Sequence, residues 1–436
     1  MSKRIANFPN EENEMRTDNE NKVAIVSLGT ELVQGFTPNT NAHWMAGRLR
    51  DMGFEVAYQI TLPDDAVVWN ATWEMIQRAR VRTVILGGGL GPTEDDKTRQ
   101  LVADTLREPL EFRPEWQKII REFIEKRRHP YSAANDVQAF FPRTSEVLDN
   151  PVGSAPGFRI AKNGVTLFAL PGVPSESKAM FERHLVPFLK SKNVAPLFFR
   201  ELRISGIFES DMAERFKRVR FPESVSWSSL PERDCIVFRT YAKESPEVLS
   251  KLEKELLSAL NAPQSVISTD GKNLVETVAA LLSESGETLS TAESCTGGMI
   301  ASEIVNVPGA SAFFKGGACT YWNEAKRDIL GVPQATLDIH SAVSRETAIA
   351  MAAGAKRKYG TDWAVSTTGI AGPDGGTPEK PVGLVWMGIA SPENVFAFRE
   401  NFSGNRVQIR EKSVFKALDL LRKSILEHKS TCTKVQ

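Results

Sequence analysis

The sequence predicts an α/β protein: two doubly wound α/β domains, 22–192 and 270–436, joined by a small α+β module at 193–269. Three observations lead there. Short apolar runs alternate with longer helix-period runs at both ends of the chain, the pattern of strands crossed over by helices. Glycine-rich turns follow strand candidates at 87–91 and 368–376, where an open sheet holds its ligands. The middle segment instead reads strand, helix, strand, strand, helix, strand. A chain of 436 residues exceeds one ordinary core, so several domains are expected.

In order, 22–28 (Lys-Val-Ala-Ile-Val-Ser-Leu) is an apolar strand candidate, followed by Gly29-Thr30-Glu31-Leu32 and a helix over 39–52. Gly53 stops that helix, 54–61 resumes as strand, 66–80 is helical and 82–86 is a short buried strand. Then comes Gly87-Gly88-Gly89-Leu90-Gly91-Pro92-Thr93-Glu94-Asp95-Asp96-Lys97-Thr98, a turn opening a helix over 98–106. It is no Walker A loop, because Asp96 stands where glycine must precede Lys97-Thr98. It is no dinucleotide fingerprint either, since Glu94 replaces the third glycine. Backbone N–H groups of such a turn suit a phosphate. Glu94, Asp95 and Asp96 suit either a divalent ion or a plain acidic helix start. The segment 116–128 is a helix with a basic solvated face, 150–158 a Pro/Gly loop and 165–170 a strand. Pro171-Gly172-Val173-Pro174-Ser175-Glu176 then turns into a helix running to 189.

The module spans strand 197–207, helix 210–219, strands 225–229 and 235–242, helix 246–260 and strand 265–269. Its arginines suggest RNA, but it has no Gly-x-x-Gly loop and Glu201, Glu209, Asp211 and Glu214 dilute the charge, so a structural or dimerising role is expected.

After a helix at 274–284, strand 287–292 runs into Thr291-Ala292-Glu293-Ser294-Cys295-Thr296-Gly297-Gly298 and a helix at 299–305. A serine on a strand-to-helix turn is exposed beside unpaired amide groups, which fits a nucleophile with an oxyanion site. It also fits a simple helix cap. Strand 317–322 leads to Asn323, a good N-cap, with Lys326 in the first turn of the next helix. The helix dipole and burial both lower a lysine's pKa there, and a neutral lysine serves as a base. An ordinary surface lysine is the competing reading. Ser344 caps a helix to 358, 362–367 is strand, and Thr368-Gly369-Ile370-Ala371-Gly372-Pro373-Asp374-Gly375-Gly376 forms the second glycine-rich loop. A strand follows Pro381-Val382-Gly383, and Arg406 and Arg410 stand near the start of the last long helix, placed for a ligand phosphate or for solvent.

Composition narrows the function. Hydrophobic content of 41% and charged content of 25% are globular, and 54 basic against 54 acidic residues leave no field for nucleic acid or membrane. Cys235, Cys295, Cys319 and Cys432 lack paired spacing, against a disulfide framework or a thiolate zinc site. The polar segment 1–21 reads as a disordered tail rather than a signal peptide, and no apolar run reaches membrane length, so a cytoplasmic protein is expected.

Thr291–Gly298, Thr320-Tyr321-Trp322-Asn323-Glu324-Ala325-Lys326, Gly369–Gly376 and Lys380-Pro381-Val382-Gly383 resemble the nicotinamide-nucleotide amidase domain. Gly88–Thr98, Asn150–Phe158 and Pro171–Glu176 resemble the molybdopterin-binding-like domain of the competence/damage-inducible CinA family, which joins the two through a KH-like module. The resemblance covers about 22–430 in the right order. It implies hydrolysis of nicotinamide mononucleotide to nicotinate mononucleotide and ammonia, in NAD salvage. By resemblance, Ser294 is the nucleophile, Lys326 its base and Tyr321 part of the same site. Amides around Thr296, Gly297 and Gly298 would hold the oxyanion, and Thr368, Gly369, Ala371, Gly372 and Arg406 the nucleotide. No cofactor is implied there. For the N-terminal domain the family implies an ADP-ribose pyrophosphatase dependent on a divalent metal, Co²⁺ or Mg²⁺. Its nucleotide site would fall on Glu31, Gly88, Gly89, Gly91, Thr93, Pro171 and Gly172, and its metal on Glu94, Asp95 and Asp96. The family pattern Gly-Asp-Glu-Leu reads Gly29-Thr30-Glu31-Leu32 here, one carboxylate short. A homodimer with small nucleotides as partners, and neither nucleic acid nor membrane, completes the expectation. Rival readings are Cys295 as nucleophile, and a non-catalytic protein that binds nucleotide or molybdopterin.

Overall fold

The computed structural model describes residues 21–233, 235–243 and 245–433. The expected tail, 1–21, lies outside them except for Asn21. The chain forms two compact units, Met1–Leu197 and Phe198–Gln436, so the middle module and the C-terminal segment fall together in the second.

The first unit runs β1 (Lys22–Leu28), α1 (Thr30–Val33), α2 (Thr40–Asp51), β2 (Glu55–Leu62), α3 (Ala66–Arg78), β3 (Thr83–Gly87), α4 (Thr98–Leu106), β4 (Leu110–Phe112) and α5 (Pro114–Lys126). It continues with β5 (Phe140–Pro142), β6 (Glu146–Leu148), β7 (Gly157–Lys162), β8 (Val165–Leu170), α6 (Pro174–Met180) and α7 (Val186–Lys190), the last two joined by a π-helical turn. The main sheet has the order β2-β1-β3-β8-β7-β6. β2, β1, β3 and β8 are parallel. β7 and β6 are antiparallel additions, so the sheet is mixed rather than wholly parallel. Alternation along β1 supplies both cores. Ala24, Val26 and Leu28 pack with Trp69, Trp73 and Leu101, while Val23 and Ile25 pack with Met45, Leu49 and Met180 on the other face. Asn39 and Asp65 cap α2 and α3 through their side chains.

The second unit opens with β9 (Phe198–Ser205), α8 (Glu209–Phe216), β10 (Ser226–Glu232), β11 (Cys235–Ala242), α9 (Pro246–Leu260) and β12 (Val266–Ser268). These form an antiparallel sheet in the order β10-β11-β9-β12. Leu202, Ile204, Phe238, Met212 and Leu252 build its core. Arg203 and Arg239 both pair with Glu201 and Glu232, which balances their charge locally.

The remainder is α10 (Leu274–Ser285), β13 (Leu289–Glu293), α11 (Met299–Val305), β14 (Phe314–Cys319), α12 (Asn323–Leu330), α13 (Gln334–His340), α14 (Arg345–Tyr359), β15 (Trp363–Gly369), β16 (Leu384–Ala390), β17 (Val395–Asn401) and α15 (Arg406–Thr433). The sheet order is β14-β13-β15-β16-β17, with the first three strands parallel and the last two antiparallel. Trp363 and Val365 of β15 join one core with α10, α11 and α15, and Ala364 joins the other with α14. Arg422 of α15 is fully buried. It pairs with Asp419 and donates to the carbonyls of Gln264 (2.6 Å) and Val266 (2.8 Å), tying this helix to the start of β12. No described helix is long and apolar enough to cross a membrane.

Candidate active site

β13 and β15 are adjacent parallel strands, so both deliver their loops at the same edge. The Ser294 N–H donates to Thr367 O at 2.9 Å, which fixes the turn after β13 against β15. Ser294 does not cap α11. That work falls to Glu293, a buried carboxylate that accepts N–H groups from Gly298 (3.0 Å), Ile300 (3.0 Å) and Ala301 (2.9 Å). Gly297 and Gly298 sit at φ 63° and 92°, a left-handed region that favours glycine, and so carry the chain from strand to helix.

Lys326 is 1% exposed and its Nζ lies 3.1 Å from Ser294 Oγ. The same Nζ donates to the carbonyls of Thr320 (2.9 Å) and Tyr321 (3.3 Å). No carboxylate lies within ion-pair distance of it among the described residues. Burial lowers its pKa below the ordinary lysine value, opposed only partly by the thiols of Cys295 and Cys319. Asn323 does not cap α12. Trp322 takes the cap position without a side-chain bond, and Asn323 is the first helical residue.

Tyr321 links Lys326 to the second glycine-rich loop. Its hydroxyl accepts from Arg406 Nη2 at 2.9 Å, and Arg406 Nη1 donates to Gly372 O at 2.6 Å. Ser294, Lys326, Tyr321, Arg406 and Gly372 thus form one chain of contacts. Thr368 is placed differently, for its hydroxyl is turned to Ala342 O at 2.6 Å. Lys380 holds the far side of the glycine loop against the carbonyls of His340 and Val343. Cys295 is buried, which pushes its thiol up to about 12, so it is protonated at neutral pH and a poor nucleophile.

Of the turn's amide groups, Gly297 N–H is committed to Ser294 O and Gly298 N–H to Glu293. The amides of Cys295 and Thr296 face the buried Cys295 sulfur. Arg410, an expected phosphate ligand, is engaged elsewhere. It donates to the carbonyls of Cys295 (3.1 Å) and Thr296 (2.9 Å). In a trans peptide the N–H points opposite the C=O, so pinning Cys295 O turns the Thr296 N–H away from Arg410. The capping role of Glu293 has no sequence signal beyond its place inside the motif, and the contact of Arg410 with that motif has none beyond its position near the start of the last helix. A separate cavity of about 790 Å³ in this unit is lined by Ser205, Asn273, Glu303 and Phe415 and does not include Ser294.

In the first unit, a cavity of about 520 Å³ opens at the carboxyl ends of β1, β3 and β8. Glu31, Gly88, Gly89, Gly91, Pro171 and Gly172 line it, as do Asp95 and Asp96, whereas Thr93 and Glu94 do not. Thr93 N–H and hydroxyl instead hold the Asp96 carboxylate. Thr30 receives a carboxylate from elsewhere: its N–H and hydroxyl donate to Asp64 Oδ2 at 3.0 and 3.1 Å, and Asp64 lines the cavity. No group of three or more His, Cys, Asp or Glu side chains gathers to hold a metal among the described residues. The fit to a divalent ion is therefore partial, and oxygens of a bound phosphate would have to complete its ligands.

Residues 271–425 match the family described as CinA C-terminal domain, and 24–191 the family described as Probable molybdopterin binding domain. The chain is 40% identical over 403 residues to a relative named as a competence-damage inducible protein from Caldanaerobacter subterraneus subsp. tengcongensis, covering 92% of this chain and 97% of that one. A relative of the same name from Caldicellulosiruptor bescii is 38% identical over 410 residues, covering 93% and 99%. The crystal structure of the competence/damage inducible protein CihA from Agrobacterium tumefaciens is 43% identical over 34% of this chain and 91% of its own, with a TM-score of 0.34.

Proposed function

Because the chain belongs to the CinA family, with a molybdopterin-binding-like domain ahead of a CinA C-terminal domain, we propose that its second unit is a nicotinamide-nucleotide amidase. The reading is carried by one observation: a buried lysine, without a carboxylate partner, 3.1 Å from a serine hydroxyl on a strand-to-helix turn. A lysine so placed holds its neutral form far better than an exposed one. The Ser294 hydroxyl gives its proton to Lys326 Nζ as Oγ bonds to the amide carbon. The tetrahedral oxyanion forms beside the turn between β13 and α11. Collapse breaks the C–N bond, and the Lys326 ammonium returns the proton to the departing ammonia. Water then cleaves the ester by the same relay and frees the carboxylate. Arg406, already bridging Tyr321 and Gly372, stands where it would hold the nucleotide's phosphate. The chemistry needs no cofactor. The proposal includes a homodimer working in the cytoplasm on pyridine nucleotides.

For the first unit we propose a phosphoanhydride hydrolase acting on ADP-ribose. The Asp64 carboxylate on Thr30 favours it, because it supplies a cavity carboxylate at the position where the family pattern has its aspartate. A divalent ion, when bound with the substrate's phosphates, would supply charge neutralisation.

Both readings are tested by one substrate panel on the full chain. Ammonia and nicotinate mononucleotide are expected from nicotinamide mononucleotide, and AMP from ADP-ribose when Co²⁺ or Mg²⁺ is added. Absence of ammonia would reject the amidase. Absence of AMP with every metal would reject the pyrophosphatase and favour a site that only binds.

A further inference from the structure

Behind the glycine loop of the first unit's cavity lies a buried cation that the proposed reading does not use. Arg99, the second residue of α4, is 2% exposed and does not line the cavity. Its guanidinium donates to Leu90 O at 2.7 Å, with a longer contact to Gly91 O at 3.5 Å, and its Nε has no partner. No carboxylate pairs with it within 4.0 Å among the described residues, and Asp96, whose charge acts on it, is held by Thr93. Burial pulls its pKa down to about 10, still charged at neutral pH. A buried, unpaired charge of this kind is costly, which asks what it serves.

Its neighbour Thr98, also buried, donates its hydroxyl to Gly88 O at 2.7 Å. Two successive residues therefore pin two loop carbonyls toward α4, and Gln138, which lines the cavity, makes a longer contact of 3.4 Å to Leu90 O. A planar trans peptide points its N–H opposite its C=O. Pinning Gly88 O and Leu90 O turns the N–H groups of Gly89 and Gly91 away from α4, toward the cavity that both residues line. Neither N–H has a hydrogen-bond partner among the described residues. Glycine is required along this path, since Gly88 and Gly89 take φ of 101° and 63°. The charged side chains lining the cavity are all acidic, Glu31, Asp64, Asp95, Asp96 and Glu176, so attraction for an anion must come from backbone N–H groups such as those of this loop.

We propose that Thr98 and Arg99 are positioning residues that make the Gly88–Gly91 loop a cradle for a phosphate-bearing anion, with Arg99 supplying its balancing charge from behind. The inference rests on the reading of this cavity as a nucleotide site and adds how the anion is held. The bond from Arg99 to Leu90 O also polarises the peptide whose N–H faces the ligand.

The test is calorimetric titration of the full chain with inorganic pyrophosphate, and in parallel with ADP-ribose, for wild type, Arg99→Met, Arg99→Lys and Thr98→Val. Arg99→Met is expected to weaken pyrophosphate at least about tenfold while its unfolding midpoint stays level or rises, because a buried charge is gone. Arg99→Lys keeps the charge but not the planar fork, and is expected to recover part of the loss. Thr98→Val is expected to weaken binding with the charge intact. Wild-type affinity in both Arg99 variants, or no pyrophosphate binding by wild type, would overturn the proposal. ADP-ribose bound equally by wild type and Arg99→Met would overturn it while leaving the nucleotide reading standing. Pyrophosphate bound without ADP-ribose would remove the nucleotide reading and keep the cradle.

Discussion

Ser294→Ala is expected to abolish ammonia release from nicotinamide mononucleotide, a loss of about 10⁴-fold or more in kcat, whereas Cys295→Ala keeps most of the activity. The two side chains are adjacent in sequence and opposite in environment. Ser294 Oγ meets a buried amine at 3.1 Å. The Cys295 thiol is held protonated by burial and by the nearby Glu293 charge, with its own backbone amide and that of Thr296 only partly offsetting this. A thiol is intrinsically the better nucleophile, but only as thiolate. Steady-state ammonia assays on both variants decide the matter. Activity surviving in Ser294→Ala and lost in Cys295→Ala would reverse the assignment.

Lys326→Met is expected to lower kcat about 10³-fold or more, in line with removing one member of a catalytic pair, and at the same time to stabilise the second unit. The lysine's ammonium has carbonyl partners but no carboxylate, so its removal relieves a buried charge. The pH dependence follows from the lowered pKa. Below that pKa Nζ is protonated and cannot accept from Ser294, so wild-type kcat should rise with pH through it and then level. Between the folded-state pKa and the ordinary value near 10.4, the unfolded chain binds more protons than the folded one, so wild-type stability should climb with pH there. Lys326→Met should show neither the kinetic rise nor the stability climb. A variant with wild-type rate, or one whose stability still climbs through the same window, would rule out Lys326 as the titrating base.

Much of this was legible in the sequence, for physical reasons that vary with the element. Strands buried on both faces, such as 22–28, announce themselves as apolar runs, and helices such as 98–106 by period and punctuation. β4 and β6, each of three residues, are too short to show a period, and β7 begins at Gly157, inside a stretch read as a Pro/Gly loop. They turn an expected parallel sheet into a mixed one. At the site, Ser294 and Lys326 are marked in the sequence by a strand-to-helix turn and a helix start, and the structure brings the two side chains to 3.1 Å. Glu293 was missed as a cap because its partners lie five to eight residues ahead, beyond the usual local capping window. Asp64 was missed because its contact with Thr30 joins loops 34 residues apart. Asn323 was misread as a cap because cap preference speaks to residue type, and one residue's shift in the helix start cancels it.

α15 touches two separated parts of the second unit. Arg406 and Arg410 hold the loops around Ser294, and four turns further on Arg422 inserts into the backbone before and within β12. That matters for dissecting the protein. A fragment begun near residue 270, where the order of predicted elements puts the boundary, keeps Arg422 and discards both carbonyls that receive it. Starting instead at Phe198 retains donor and acceptors together, and with them the rod that holds the loops around Ser294.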